Sequence, residues 1–159
     1  QSIHHIDEVA YTVGIPKQVR ANVWTQTHDI ECEDLGVATW LYDDGLVLTF
    51  CGTTSYPQAT WYHRYELHGT EGAYSSASGG MNHKPITWWY VDQEWTTHPP
   101  EVVEPKWMNA ADNMAAALRT GAPLACSGRD ARRSQSILDA MYCSAYAGGD
   151  WVDVAPDLP

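Results

Sequence analysis

The sequence predicts an α+β domain with a large, mostly antiparallel open sheet and helices packed on one face. Three observations carry that expectation. Period-two alternation interrupted by Gly-containing turns fills the middle of the chain, and apolar residues spaced by three and four mark its beginning and end. No alternating strand–helix series occurs, so nothing here would build a doubly wound parallel sheet. With 159 residues the chain has the size of one domain, expected over 1–159.

The elements follow in order. Ile3, Ile6, Val9, Ala10 and Val13 recur at helical intervals, and Gly14 with Pro16 stops them, which predicts a first helix from about Ser2 to Val13. Val19, Ala21 and Val23 alternate with Arg20, Asn22 and Trp24, as in a strand covered on one face. Asp29, Glu31, Glu33 and Asp34 read as a solvated acidic loop. Strands are then expected over Gly36 to Tyr42 and Leu46 to Cys51. Asp44-Gly45 lies between them, because a tight hairpin needs the positive φ that Gly adopts without steric cost. A strand from Thr60 to His68 turns at Gly69-Thr70-Glu71-Gly72 into Ala73 to Ser78, and the runs Ile86 to Val91 and Glu94 to Thr97 extend the same sheet. Short turns can join only antiparallel neighbours, hence a meander. Pro99, Pro100 and Pro105 punctuate an extended connection, after which a second helix is expected from about Pro105 to Thr120. Ile137, Leu138, Met141, Tyr142 and Ala145 define a third helix, with Ser127 as its cap and Gly148-Gly149 as its stop. A short strand from Trp151 to Val154 closes the chain.

Composition narrows the function. Hydrophobic residues make up 44% and charged ones 18%, which excludes a disordered chain. Nine Lys and Arg against twenty Asp and Glu leave a net charge of −11, which repels phosphate backbones and anionic membrane surfaces, so neither nucleic acid nor membrane is expected as a partner. No apolar run approaches the roughly 20 residues that cross a bilayer. Cys32, Cys51, Cys126 and Cys143 form no CxxC pair and are expected as buried free thiols, consistent with a cytoplasmic location. Eight Trp and nine Tyr against one Phe favour rings with a polar edge, suited to half-wet sheet faces and interfaces. There is no GxGxxG, P-loop or GxSxG, so these residues are not expected to hold a nucleotide or a serine nucleophile.

One stripe of the first helix concentrates chemistry. His4, Asp7, Glu8 and Tyr11 stand at i, i+3, i+4 and i+7, opposite Ile6, Val9 and Val13. An imidazole beside carboxylates can pass a proton in either direction near neutral pH, although the same spacing describes a solvated helix face, and His5 fits the pattern equally well. Asp7 could also serve the dipole at the helix N-terminus. No HxxxH or HExxH pair supports a metal site, and Arg132-Arg133 read as solvated helix residues rather than an anion clamp.

Beyond spacing, the run Gln1-Ser2-Ile3-His4-His5-Ile6-Asp7 resembles the segment after the catalytic Asp of the Gfo/Idh/MocA family of NAD(P)-dependent oxidoreductases, where an Asp-x-x-x-His pattern opens a helix. The resemblance continues through Gly14-Ile15-Pro16, Val19-Arg20-Ala21, Asp44-Gly45, Tyr65 to Gly72, Ser127 to Ala131, Ser144-Ala145 and Gly149 to Val152. It implies the family's C-terminal domain, which is dihydrodipicolinate-reductase-like. His4 would be the catalytic histidine, with Asp7 and Tyr11 as substrate-binding residues and no cofactor or metal ligands in this chain. NAD or NADP would be held by an N-terminal Rossmann domain absent from these residues, as are the Asp expected before Gln1 and the family's lysine. The implied substrate is a sugar, polyol or related alcohol oxidised at CH–OH, and the implied assembly a homo-oligomer through the open sheet face. The isolated chain is then expected to be inactive. The alternative is a non-catalytic binding or oligomerisation module of the same fold.

Overall fold

A computed structural model describes residues 2–55, 62–79, 86–98 and 106–155. Two compact units are present, one from Gln1–Tyr56 with Asn109–Pro159 and one from Pro57–Met108.

In the first unit, α1 (Ile3–Thr12) leads into β1 (Gln18–Trp24), β2 (Leu35–Leu41) and β3 (Val47–Thr53), and after α2 (Ala110–Thr120) and α3 (Gly128–Tyr146) the chain returns as β8 (Val152–Asp153). The sheet order is β3-β2-β1-β8, antiparallel throughout. Register explains the core. Val19 pairs with Trp40 and Ala21 with Ala38, so these four side chains share one face, and all four are buried. Phe50, opposite Ala38, stacks on Trp40 with ring centroids 5.7 Å apart and planes 12° from parallel. Ile6 and Val9 of α1 and Ile137, Ala140 and Met141 of α3 supply the buried helical side of the core. The opposite face carries Arg20, Asn22 and Val37 in exposed positions, so period two in β1 and β2 reports one-sided burial, as the alternation predicts.

The expected turns and caps hold. Gly45 has φ +85°, its N–H donates to the Tyr42 carbonyl, and Tyr42 N–H donates to Leu46 O, closing the β2–β3 hairpin. Ser127 and Asp130 form a reciprocal capping box at the start of α3, and Gly148 and Gly149 take φ +79° and +91° after its last turn. The second helix begins later than expected. Asn109 caps α2 by accepting from Asp112 N–H at 2.9 Å, and residues 106–109 are bent rather than helical. A side-chain cap fixes where a helix starts more firmly than the last apolar residue in register does.

The second unit contains β4 (Tyr62–His68), β5 (Ala73–Gly79), β6 (Ile86–Val91) and β7 (Glu94–His98) in that order, all antiparallel. The expected strand start at Thr60 and the proline-rich connection through Pro105 lie outside the described residues. Gly72 has a physical reason: a Cβ there would lie 2.6 Å from the Tyr90 carbonyl oxygen. Asp92 and Gln93 both have positive φ, 53° and 65°, which gives the β6–β7 hairpin the backbone twist of a two-residue turn. Where one large sheet was expected, the described strands fall into two four-stranded sheets within the same α+β, antiparallel class.

The cysteine expectation is corrected: all four thiols are free and exposed. Cys51 falls on the outward phase of β3, Cys143 points away from the packed stripe of α3, and Cys32 and Cys126 occupy loops. Period and register outweigh the average preference of Cys for interiors.

One buried hydroxyl closes the edge of β1. β8 covers only Gln18 and Val19, so the next outward amide, Ala21 N–H, is left for Ser144 Oγ, which accepts it at 2.8 Å and donates to Asp150 O at 2.6 Å. Ser144 is fully buried. Ser144→Ala is expected to destabilise the fold by about 2 kcal/mol, because it orphans a buried amide. Urea unfolding of the two proteins checks this, and equal midpoints would contradict it.

Candidate functional site

The stripe expected on α1 forms. Ile6 and Val9 face the core while His4, Asp7, Glu8 and Tyr11 are all exposed, Tyr11 at 90%. The N-terminus of α1 is seated on β3, since a Cβ at Gly52 would run into the Ser2 hydroxyl, two residues before His4. Asp7 is committed elsewhere on this surface: its Oδ1 accepts from Ser134 Oγ of α3 at 2.5 Å, and no hydrogen bond joins it to His4 among the described residues. Asp7 therefore ties α1 to α3. It lies beyond the first turn of α1, which contains no acidic residue, so the helix-dipole reading is corrected. Tyr11 projects from the same stripe one turn further on. Among the described residues no three His, Cys, Asp or Glu side chains gather as metal ligands.

A second polar centre was missed in the sequence. Asp34, expected in a solvated loop, is buried at 2% exposure. Its Oδ1 accepts from Gln26 N–H at 2.9 Å, and its Oδ2 accepts from Thr27 N–H at 2.7 Å and His28 N–H at 2.9 Å, with His28 Nδ1 3.2 Å away. The Gln26 amide is the largest influence holding the carboxyl well below the usual carboxylate range. Burial opposes it, and the Thr27 and His28 amides and the His28 ring add to it. Asp34 also bonds through its backbone, N–H to Trp24 O and carbonyl from Thr54 N–H and Thr53 Oγ1, so one residue closes the β1–β2 connection onto β3. Its neighbour Glu33 accepts from Tyr142 Oη of α3 at 2.6 Å. That bond, then burial, raises the Tyr142 hydroxyl to about 12 and keeps it a donor. The only available signal was position, since Asp34 is the one acid of its patch that abuts the next strand.

α1 thus displays an exposed imidazole from a helix seated on an antiparallel sheet. The profile described as "Oxidoreductase family, C-terminal alpha/beta domain" matches residues 1–154, and the chain belongs to this Gfo/Idh/MocA oxidoreductase family. Among solved structures it is similar to the WlbA dehydrogenase from Bordetella pertussis in complex with NADH and UDP-GlcNAcA, at 27% identity and a TM-score of 0.72 over 99% of this chain and 45% of that one. It also resembles the aldose-aldose oxidoreductase from Caulobacter crescentus complexed with glycerol (20% identity, TM-score 0.77, 96% of this chain, 45% of that one). An oxidoreductase from Agrobacterium radiobacter in complex with NAD+, L-tartaric acid and magnesium shares the fold at 16% identity and a TM-score of 0.74, over 96% of this chain and 47% of that one. The chain thus spans about half the length of these structures. No curated protein sequence matches it. No helix among the described residues is long and apolar enough to cross a membrane.

Two expectations follow. Asp34→Asn lowers the urea midpoint at pH 7. Because the folded carboxyl titrates below its unfolded value of about 3.9, its contribution is complete above about pH 5 and is lost as pH falls toward the folded value, so the gap between the two proteins narrows at about pH 3. Urea titrations at both pH values test the sign, and an equal gap would refute it. Separately, Asp7→Ala and Ser134→Ala are each expected to cost about 1 kcal/mol, and the double variant less than their sum. Strict additivity would mean that the two groups do not interact.

Proposed function

We propose that this chain is the substrate-binding and proton-handling half of an NAD(P)-dependent oxidoreductase acting on the CH–OH group of a sugar, polyol or related alcohol. The observation that carries the reading is His4, presented to solvent at the start of α1 in a segment that resembles the family's Asp-x-x-x-His stretch. Oxidising a secondary alcohol requires removal of its hydroxyl proton, and an imidazole does this at neutral pH without a strong base. His4 accepts that proton. Asp7, through the carboxylate oxygen not taken by Ser134, and Tyr11, one and two turns along the same stripe, bind substrate hydroxyls.

These residues do not fit a dinucleotide. Both described sheets are antiparallel, among the described residues no Gly-rich turn leads from a parallel strand to a helix N-terminus, and the net charge of −11 opposes a pyrophosphate. NAD or NADP is therefore held by a separate N-terminal Rossmann domain, and residues 1–159 alone turn over no alcohol. That the matched structures are about twice as long, two of them in complex with NADH or NAD+, supports this reading. The protein is cytoplasmic and assembles with further copies of itself through the open sheet, where Tyr62 and Trp95 on one face and Trp89 on the other leave apolar area exposed. Those same rings favour the second reading, a non-catalytic binding or oligomerisation module.

His4→Ala in the full natural gene product is expected to reduce kcat/KM by about 10²- to 10⁴-fold. Steady-state kinetics on the preferred alcohol measures it. A rate equal to wild type would remove His4 from the reaction and leave the module reading.

A further inference from the structure

Away from the His4 stripe, the end of β1, the connection to β2 and the last two turns of α3 enclose an open cleft of about 350 Å³. Trp24, Tyr142 and Tyr146 supply its aromatic walls, and Glu31 and Glu33 its charge. No Lys, Arg or His lines it. Tyr142 and Tyr146, one helical turn apart, stack with centroids 6.2 Å apart and planes 18° from parallel. Tyr146 is 82% exposed and Trp24 41%, so both rings are accessible from solvent. Glu33 is held in place at Oε1 by the Tyr142 hydroxyl, and among the described residues that is its one hydrogen bond, leaving Oε2 for another donor.

We propose that this cleft binds a small organic cation, a guanidinium in preference to an ammonium, against the Glu33 carboxylate and the Tyr142–Tyr146 pair. Electron-rich ring faces and two carboxylates without a local counter-charge attract a cation from both sides. A guanidinium is flat, so it lies on a tyrosine face while its N–H edge meets a carboxylate; an ammonium is compact, more strongly hydrated and makes no such stack. Asp34 fixes the frame of this arrangement. Its backbone N–H bonds to Trp24 O, and its side chain gathers the loop that delivers Glu31 and Glu33, so the cleft is set before a ligand arrives. The proposal stands apart from His4 and does not depend on the proton-handling reading.

The test titrates butylguanidinium and its neutral isostere butylurea into the full natural chain by calorimetry. Saturable binding of the cation is expected, with butylurea at least about tenfold weaker. Glu33→Gln retains an acceptor for the Tyr142 hydroxyl, and Tyr146→Ala removes an exposed ring, so both variants keep the fold; each is expected to weaken the cation about tenfold. Equal affinity for the two compounds, no saturation with the cation, or affinity unchanged in both variants would overturn the proposal.

Discussion

The fold of the first unit depends on covering one apolar face, made by Val19, Ala21, Ala38 and Trp40, with two helices whose own polar groups must not be stranded. α3 meets this constraint twice. Its apolar stripe of Ile137, Ala140 and Met141 fills the core, and its one fully buried hydroxyl, on Ser144, completes the hydrogen bonding that the two-residue β8 leaves unfinished on β1. Packing and polar satisfaction thus act through the same helix. α1 then docks against α3, and its exposed stripe is set by that docking.

Regular elements were legible because their signals repeat. Isoleucine and valine at helical spacing marked α1, Asp44-Gly45 marked the β2–β3 hairpin, and Ser127 with Gly148-Gly149 framed α3. What repetition cannot carry was misread. Asp34 sits among other acids with no period to distinguish it, yet it alone is buried under three amides. Asn109 overrode an apolar pattern at the start of α2 for the same reason, a single side-chain bond to the backbone. The thiols were misplaced because the average behaviour of cysteine ignores the face on which each one falls.

The candidate site was legible to a different degree. Spacing alone identified a polar stripe and could not separate chemistry from solvation. Only the order of residues around His4, which resembles that of the oxidoreductase family, singled out one imidazole. The aromatic, acidic cleft at the far end of α3 had no linear signature at all, because Tyr142 reaches the neighbourhood of Trp24 and Glu33 from 109 residues beyond Glu33.

Gly52 has a consequence that reaches beyond its strand. The opening turn of α1 rests on that bare backbone, with the Ser2 hydroxyl where a methyl group would otherwise be. Any larger residue would displace the Ser2 side chain and crowd the Phe50 ring, pressing on the start of the helix that carries His4. A change on the edge strand of the sheet is thereby felt at the start of the helix that displays the imidazole, an effect that thermal melting alone would overlook.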